Sequence, residues 1–300
     1  MRRSLTLRSF SPVNTRCIYY RLKESGKDEA NITLCPILDF ANHDWYNSYI
    51  RPVFDSDIWN TRPRAKDGFQ FLATEHIREV EVGKEIYLRY GGNSNQDLFV
   101  EYGFVNAVSN EEMVSGTYPA EVDVQAIMVD LFEGRGTVGS WMRTILEKEG
   151  YWGYVQRESW MFRSLMFYRD WTLSTSPNPA APSFRLITAL RLLAMGYEMS
   201  CIPAAHEEDV VCQPWRDTLL GKSDKISPSN EANWRMILSV ICNLVVDEGT
   251  AGLQCTLHSL LNQQNHSWSG WMKDNIALLW SEQIVVARAV LQSLKDGIEF

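Results

Sequence analysis

The side chains in this sequence that could do chemistry fall in four short stretches rather than in one long motif. Tyr90 closes a run of alternating apolar residues and is followed directly by Gly91. Asn42 and His43 form a pair just beyond Asp39, Arg16 stands in a basic opening segment, and Tyr102 and Phe104 flank Gly103. Among them these groups supply a phenol, an amide, an imidazole, a carboxylate and a guanidinium, which can hydrogen-bond, exchange a proton and hold opposite charge. Each also has an ordinary packing role when taken alone. Tyr90 could close a strand against the core, Asn42-His43 could cap a turn, Arg16 could form a surface ion pair, and Tyr102 and Phe104 could be core aromatics.

Metal chemistry is not expected. His76, His206, His258 and His266 form no ligand-spaced cluster with His43. The six cysteines (Cys17, Cys35, Cys201, Cys212, Cys242 and Cys255) lie far apart, without the closely spaced pair that a structural zinc site normally uses. Such thiols fit a reducing compartment, cytoplasmic or nuclear, and are expected mostly buried as small apolar groups.

The elements that must position these residues change character near residues 106–120. Before that divide, Arg51–Asp55, Phe69–Thr74 and Ile86–Tyr90 have strand composition. Lys66-Asp67-Gly68 and Glu81–Glu85 are turns, and the polar stretch Ser56–Asp67 is a loop. On the last strand Ile86, Leu88 and Tyr90 share one face, with Tyr87 and Arg89 on the other. After the divide the apolar period becomes helical. One helix carries Ile187, Leu190, Ala194 and Tyr197. A second, opened by Ser227-Pro228, carries Trp234, Ile237, Leu238, Ile241 and Val245. A third, long one carries Ile276, Leu279, Ala287, Val290, Leu291 and Leu294. Gly134–Gly139 and Ser174–Ser183 are read as connections between helices. The fold class is α+β: a β-rich part over 1–105, a linker over 106–120 and an all-helical domain over 121–300. Nine of the eleven tryptophans fall in the helical part, among them Trp141, Trp160, Trp171, Trp234 and Trp280. They are read mainly as core, with one or two available for a docking face.

Bulk numbers agree with two folded cores. The chain has 300 residues, 45% hydrophobic and 22% charged. A net charge of -8 and a pI near 5.3 supply no broad basic face, so nucleic acid is not an expected partner. No apolar run is read as approaching the roughly 18 residues of a membrane span. The opening carries Arg2, Arg3, Arg8, Arg16, Arg21 and Lys23 with no acid before them. A transit peptide has that composition, but the segment runs straight into residues assigned to the fold, which favours the fold.

Taken together and in order, the stretches resemble a known family. Val13-Asn14-Thr15-Arg16, Pro36 through His43, Gly83 through Gly91, and Asn95 through Phe104 are similar to the SET domain of the Rubisco large-subunit methyltransferase branch. Pro182-Ser183 and Ala189 through Leu193 resemble the helical substrate-binding domain of that branch. The resemblance implies a protein-lysine N-methyltransferase that uses S-adenosylmethionine and acts on a protein presenting a lysine side chain. It places Tyr90 as the catalytic hydroxyl beside the transferring methyl, and Arg16, Asp39, Asn42 and His43 on the donor. Ile18, Leu38, Tyr102 and Phe104 wall the lysine channel. Some relatives that methylate histidine carry asparagine at the position of Ile18 and tryptophan at that of Leu38, so lysine is the expected target here.

One family feature is not found. The donor site normally has a second half, a glycine-rich turn ahead of the Val-Asn-Thr-Arg stretch, and no such turn precedes Val13. Two readings stay open: an incomplete catalytic unit, or a non-catalytic interaction module that uses the helical domain as a scaffold. On the first, the chain by itself is expected to bind S-adenosylmethionine poorly, with the helical half the better ordered.

Overall fold

The structure, a computed structural model, describes residues 17–19, 32–34, 40–53, 70–74, 77, 80–152, 171–199, 201–204, 206–261 and 270–300. Helices and small sheets give a mixed α and β fold, with helix predominating. The described residues up to Asn106 form one compact unit, and those from Ala107 onward form a second.

In the first unit β1 (Cys17–Tyr19) and β2 (Ile32–Leu34) pair antiparallel, Cys17 opposite Leu34. A second sheet has β3 (Ser48–Val53) at its centre, antiparallel to β4 (Gln70–Ala73) and parallel to β5 (Tyr87–Leu88). Strand β3 begins earlier than its composition suggested, because Ser48 and Ile50 pair with β5 ahead of the β-branched run. The expected strand ends at Phe54, Asp55 and Phe69, the loop 56–67 and the Lys66–Gly68 turn lie outside the described residues.

Glu81–Glu85 is a turn as its residues imply. The Lys84 N–H reaches the Glu81 carbonyl at 3.1 Å, and Gly83 holds φ +91°, a backbone that side chains rarely adopt. Only Tyr87–Leu88 of the expected Ile86–Tyr90 strand is paired. Leu88 is buried and Tyr90 half-buried, whereas Ile86 on the same side is exposed, since the sheet ends before it. Helix α1 (Asn95–Tyr102) follows. Ser94 caps it by accepting the Asp97 N–H, and Gly103 ends it in the left-handed region at φ +83°.

The second unit opens with α2 (Asn110–Val114), started by a reciprocal capping box between Ser109 and Glu112. The stretch expected as a linker thus carries a helix, and its Met113, Tyr118 and Ala120 are buried. Three short antiparallel strands follow in order: β6 (Glu121–Asp123), β7 (Thr172–Ser174) and β8 (Ala181–Pro182). Ser174–Ser183 therefore includes a paired strand and does not simply join helices. The helices are α3 (Gln125–Glu133), α4 (Gly136–Lys148), α5 (Phe184–Tyr197), α6 (Glu208–Leu219), α7 (Pro228–Leu261) and α8 (Gly270–Lys295).

Gly134–Gly139 is likewise only partly a connection, because α4 already begins at Gly136. Gly139 serves close approach. A Cβ on Gly139 would stand 1.8 Å from the Phe132 carbonyl oxygen, so α4 can turn back over α3 only with hydrogen at that position. Helix α5 starts on the Ser183 cap, and the Ser227 hydroxyl accepts the Asn230 N–H at the start of α7.

The core holds Phe132, Trp171, Trp215 and Trp234, all essentially inaccessible. Trp141 and Trp280 are half-buried, Trp271 is exposed, and Trp160 lies outside the described residues. Helices α7 and α8 pack along each other and α5 packs on α7. At that seam the Arg191 guanidinium donates to Glu231 Oε1 at 2.9 Å and to the Asp224 carbonyl at 2.8 Å. The other Glu231 oxygen accepts from the Trp234 indole N–H at 2.7 Å. Helix α7 corrects one expectation, since by length and composition it could cross a membrane. Its Trp234, Ile237, Leu238, Ile241 and Val245 are nonetheless buried in the unit's core.

Candidate active site

The site is built where β5 passes the 41–43 segment. The Asn42 carbonyl accepts the Leu88 N–H at 2.9 Å, and His43 forms a parallel bridge with Leu88. This backbone pairing sets His43 beside the end of β5, where its Nδ1 accepts the Tyr90 backbone N–H at 3.0 Å. The Tyr90 hydroxyl turns back across the same segment and donates to the Ala41 carbonyl at 2.9 Å. Tyr90 is thus held at both its backbone and its hydroxyl. Directly after it Gly91 takes φ +123°, which a side chain would strain, so the chain can reverse there and lead into α1.

Helix α1 brings the second wall. Its last residue, Tyr102, lies 5.0 Å from Tyr90 between ring centroids. Gly103 turns the chain so that Phe104 lies 6.0 Å from Tyr102 and 5.6 Å from His43. His43 and Tyr90 are 5.2 Å apart, so the four rings form a continuous half-buried aromatic cluster. Burial pushes the Tyr102 phenol up to about 12, so it stays neutral at physiological pH.

Asn106 completes the arrangement. Its Oδ1 faces His43 Nε2 at 3.1 Å, and its backbone is clasped by Asn95. The Asn106 N–H donates to Asn95 Oδ1 at 2.8 Å, while Asn95 Nδ2 donates to the Asn106 carbonyl at 3.3 Å. Both asparagines are buried. Desolvation holds the His43 imidazolium below its usual range, against the opposing pull of the Asn106 bond and the Asp44 charge.

Of the residues singled out from sequence, Asn42, His43, Tyr90, Tyr102 and Phe104 come together in this one unit. Asn42 faces outward, its amide donating to Glu85 Oε1 at 2.5 Å, and only its backbone is built into the pairing with β5. Ile18 lies in β1. Arg16, Leu38 and Asp39 lie outside the described residues. Asn95, Asn106 and Glu85 were not recognised in the sequence as site residues. The one available signal for Asn106 was its place directly after the Glu-Tyr-Gly-Phe-Val stretch, where a buried asparagine needs a partner.

Comparison with known proteins gives this geometry a context. No family model matches the chain. Over 300 residues, 97% of the chain, it is 26% identical to SET domain-containing protein 4 of Homo sapiens. The chain is thus similar to a SET-domain protein along nearly its whole length. It is also 30% identical over 168 residues to ribosomal lysine N-methyltransferase set11 of Schizosaccharomyces pombe, a stretch covering 55% of the chain and 35% of that protein. A further relative is ribosomal lysine N-methyltransferase 2 of Saccharomyces cerevisiae, 26% identical over 156 residues, or 50% of the chain and 30% of that protein. The chain spans about half the length of the human SET-domain protein, 54%.

Proposed function

We propose that this chain works in a protein-lysine N-methyltransferase that takes its methyl group from S-adenosylmethionine. The observation that carries the reading is Tyr90. It is fixed by His43 and the Ala41 carbonyl at the centre of an aromatic cluster drawn from sequence positions far apart. Aromatic faces beside a backbone carbonyl suit a cationic group with an apolar body, which is the chemistry of a sulfonium donor.

Bound S-adenosylmethionine supplies an activated methyl. On this reading Asn42 and His43, with Asp39 and Arg16, hold the donor, Arg16 by a two-pronged contact to its carboxylate. Tyr90 presents its hydroxyl at the transferring methyl. Tyr102 and Phe104, with Ile18 and Leu38, wall the channel that receives the lysine. A lysine ammonium with its ordinary pKa near 10.4 has no lone pair, and an aromatic, water-poor channel favours its neutral form. Holding the amine in line with the methyl at about 3 Å supplies much of the remaining barrier reduction.

Residues 1–105 then act as the C-terminal portion of a SET catalytic domain. Residues 121–300 act as a substrate-binding domain of the kind found in Rubisco methyltransferases. The partner is a protein, and the setting is the cytoplasm or nucleus. Because two relatives are named for ribosomal lysines, ribosomes are the first substrate to try.

The test incubates the protein, alone and with any upstream coding sequence restored, with radiolabelled S-adenosylmethionine and ribosomes, followed by mass spectrometry of modified lysines. Tyr90→Phe should cut kcat at least tenfold while leaving donor affinity nearly unchanged, because the hydroxyl acts mainly near the transition state. Absence of methyl-lysine from every version, or full turnover by Tyr90→Phe, would overturn the reading.

A further inference from the structure

The bond that fixes Tyr90 has a requirement of its own. A backbone N–H can only donate, so His43 Nδ1, 3.0 Å from the Tyr90 nitrogen, must carry a lone pair. In a neutral imidazole the proton then sits on Nε2, and Nε2–H needs an acceptor. The atom placed there, 3.1 Å away, is Asn106 Oδ1. The direction of this chain of bonds follows from the backbone amide at one end, which has no alternative orientation.

Asn106 is itself held independently of that side chain. Its N–H and carbonyl are both engaged by Asn95, at 2.8 and 3.3 Å, and Asn95 is the first residue of α1, whose start is fixed by the Ser94 cap. Helix α1 also delivers Tyr102 to the cluster. One buried clasp therefore sets both the aromatic wall and the acceptor that orients His43.

We infer that Asn106 is a positioning residue for Tyr90: by accepting from His43 Nε2–H it selects the tautomer whose Nδ1 anchors the Tyr90 backbone. Asn106 acts through His43 and is placed to hold the donor-side segment and the tyrosine in register. When His43 gains a second proton, Nδ1 can no longer accept, and the Tyr90 anchor is lost. The charged groups facing the imidazole are Asp44, next to it in sequence, which favours protonation, and Arg89 just after β5, which opposes it; a backbone hydrogen bond with Leu88 also favours protonation. The Tyr90 and Phe104 rings flank it, and burial favours the neutral form.

The tautomer is independent of the methyltransferase reading, and its effect on turnover rests on that reading. Two measurements keep these separate. Long-range 1H–15N correlation on the 15N-histidine-labelled chain reports the protonated nitrogen of His43 directly. The Nε2–H form is expected in the wild type at pH 7.5, and the Nδ1–H form would overturn the inference without any variant being made.

The second uses Asn106→Asp, which leaves the backbone contacts to Asn95 in place. A carboxylate at hydrogen-bond distance should raise the His43 midpoint by about 1 pH unit or more in the same spectra. Where methyl transfer is measurable, the acid limb of kcat should move up by the same amount, with KM for the donor little changed. An unmoved His43 midpoint in a folded variant overturns the inference. Absence of turnover in every version, with the spectra as expected, instead counts against the methyltransferase reading alone.

Discussion

Arg191 offers the sharpest test of how the helical unit is held. Its side chain is 11% exposed and that of its partner Glu231 is 17% exposed, in the seam between α5 and α7. Replacing arginine by methionine keeps most of the aliphatic volume but removes the bonds to Glu231 and to the Asp224 carbonyl. It also strands the Glu231 carboxylate, leaving it the Trp234 indole as a neutral donor. Breaking a fully buried pair in this way costs about 3–5 kcal/mol, and the residual exposure here places the expected loss lower, at about 2–3 kcal/mol. Urea unfolding followed by tryptophan fluorescence should report it well, because Trp234 is fully buried at the site. For a unit of this size the midpoint should fall by about 1 M. Changing Glu231 to glutamine in the same chain removes the stranded charge while keeping an acceptor for the indole, so Arg191→Met with Glu231→Gln should recover part of the loss. A loss below about 1 kcal/mol for Arg191→Met, or a double variant as unstable as the sum of the singles, would refute the account of this seam as a desolvated, mutually dependent network.

Three further outcomes follow from particular contacts. Gly139→Ala forces a methyl onto the Phe132 carbonyl and should destabilise the second unit by about 2 kcal/mol or more, seen as a lower thermal midpoint. His43 is held below its usual range by burial, so the unfolded chain takes up its proton first as pH falls. The first unit should therefore lose stability from about pH 7 downward, levelling off once the folded imidazole is also protonated, and His43→Gln should flatten that slope in denaturant titrations at a series of pH values. Burial pushes the thiols of Cys212 and Cys242 up to about 11 and 12, while Cys201 and Cys255 are exposed. Alkylation of the native protein at pH 8 should therefore label the exposed pair and spare the buried one, as read by peptide mass spectrometry.

Much of the helical unit was legible because a helix writes its packing into a fixed period. Ile187, Leu190 and Ala194, and Trp234, Ile237, Leu238, Ile241 and Val245, are identifiable from spacing alone and are buried, whereas Tyr197, on the first of these stripes, is exposed at the helix end. Ser227 before Pro228 marked a helix start, and its hydroxyl makes the capping bond. What spacing misjudged was glycine at Gly139, which signals a loop in the sequence but serves here to let two helices cross closely. The two exposed cysteines also depart from the burial expected of small apolar thiols.

For the site, residue type and order point to Asn42, His43, Tyr90, Tyr102 and Phe104; the last four lie together, and Asn42 joins them through its backbone while its amide faces Glu85. Ile86 shares a face with Leu88 and Tyr90 by alternation yet is exposed where Leu88 is buried, because alternation describes a strand and not where its sheet stops. Asn106, Asn95 and Glu85 were missed for a common reason. Their roles are hydrogen bonds to partners remote along the chain or to backbone atoms, and no local pattern records these.

The bonds that close the site have a cost in chain entropy that the helices do not share. Asn42 to Glu85 joins residues 43 apart, Tyr90 to His43 spans 47, and His43 to Asn106 spans 63. The Asn95–Asn106 clasp spans only 11. Closing a loop costs free energy that grows with the logarithm of its length, and it is recovered only when the distant contacts are made. Helix α1 with its caps and clasp can therefore form early in folding, whereas the 41–43 segment must arrive from far along the chain. Under native conditions, segments with exposed hydrogen bonds and few buried apolar contacts open before a buried core, and the Asn42–Glu85 bond is exposed whereas the Asn95–Asn106 clasp is buried. Hydrogen exchange would show this as earlier loss of protection at the Leu88 and Tyr90 amides than at the Asn106 amide. The candidate site would then depend on a junction closed over long separations along the chain, so that ligands binding at the 41–43 segment would stabilise the first unit by holding that loop closed.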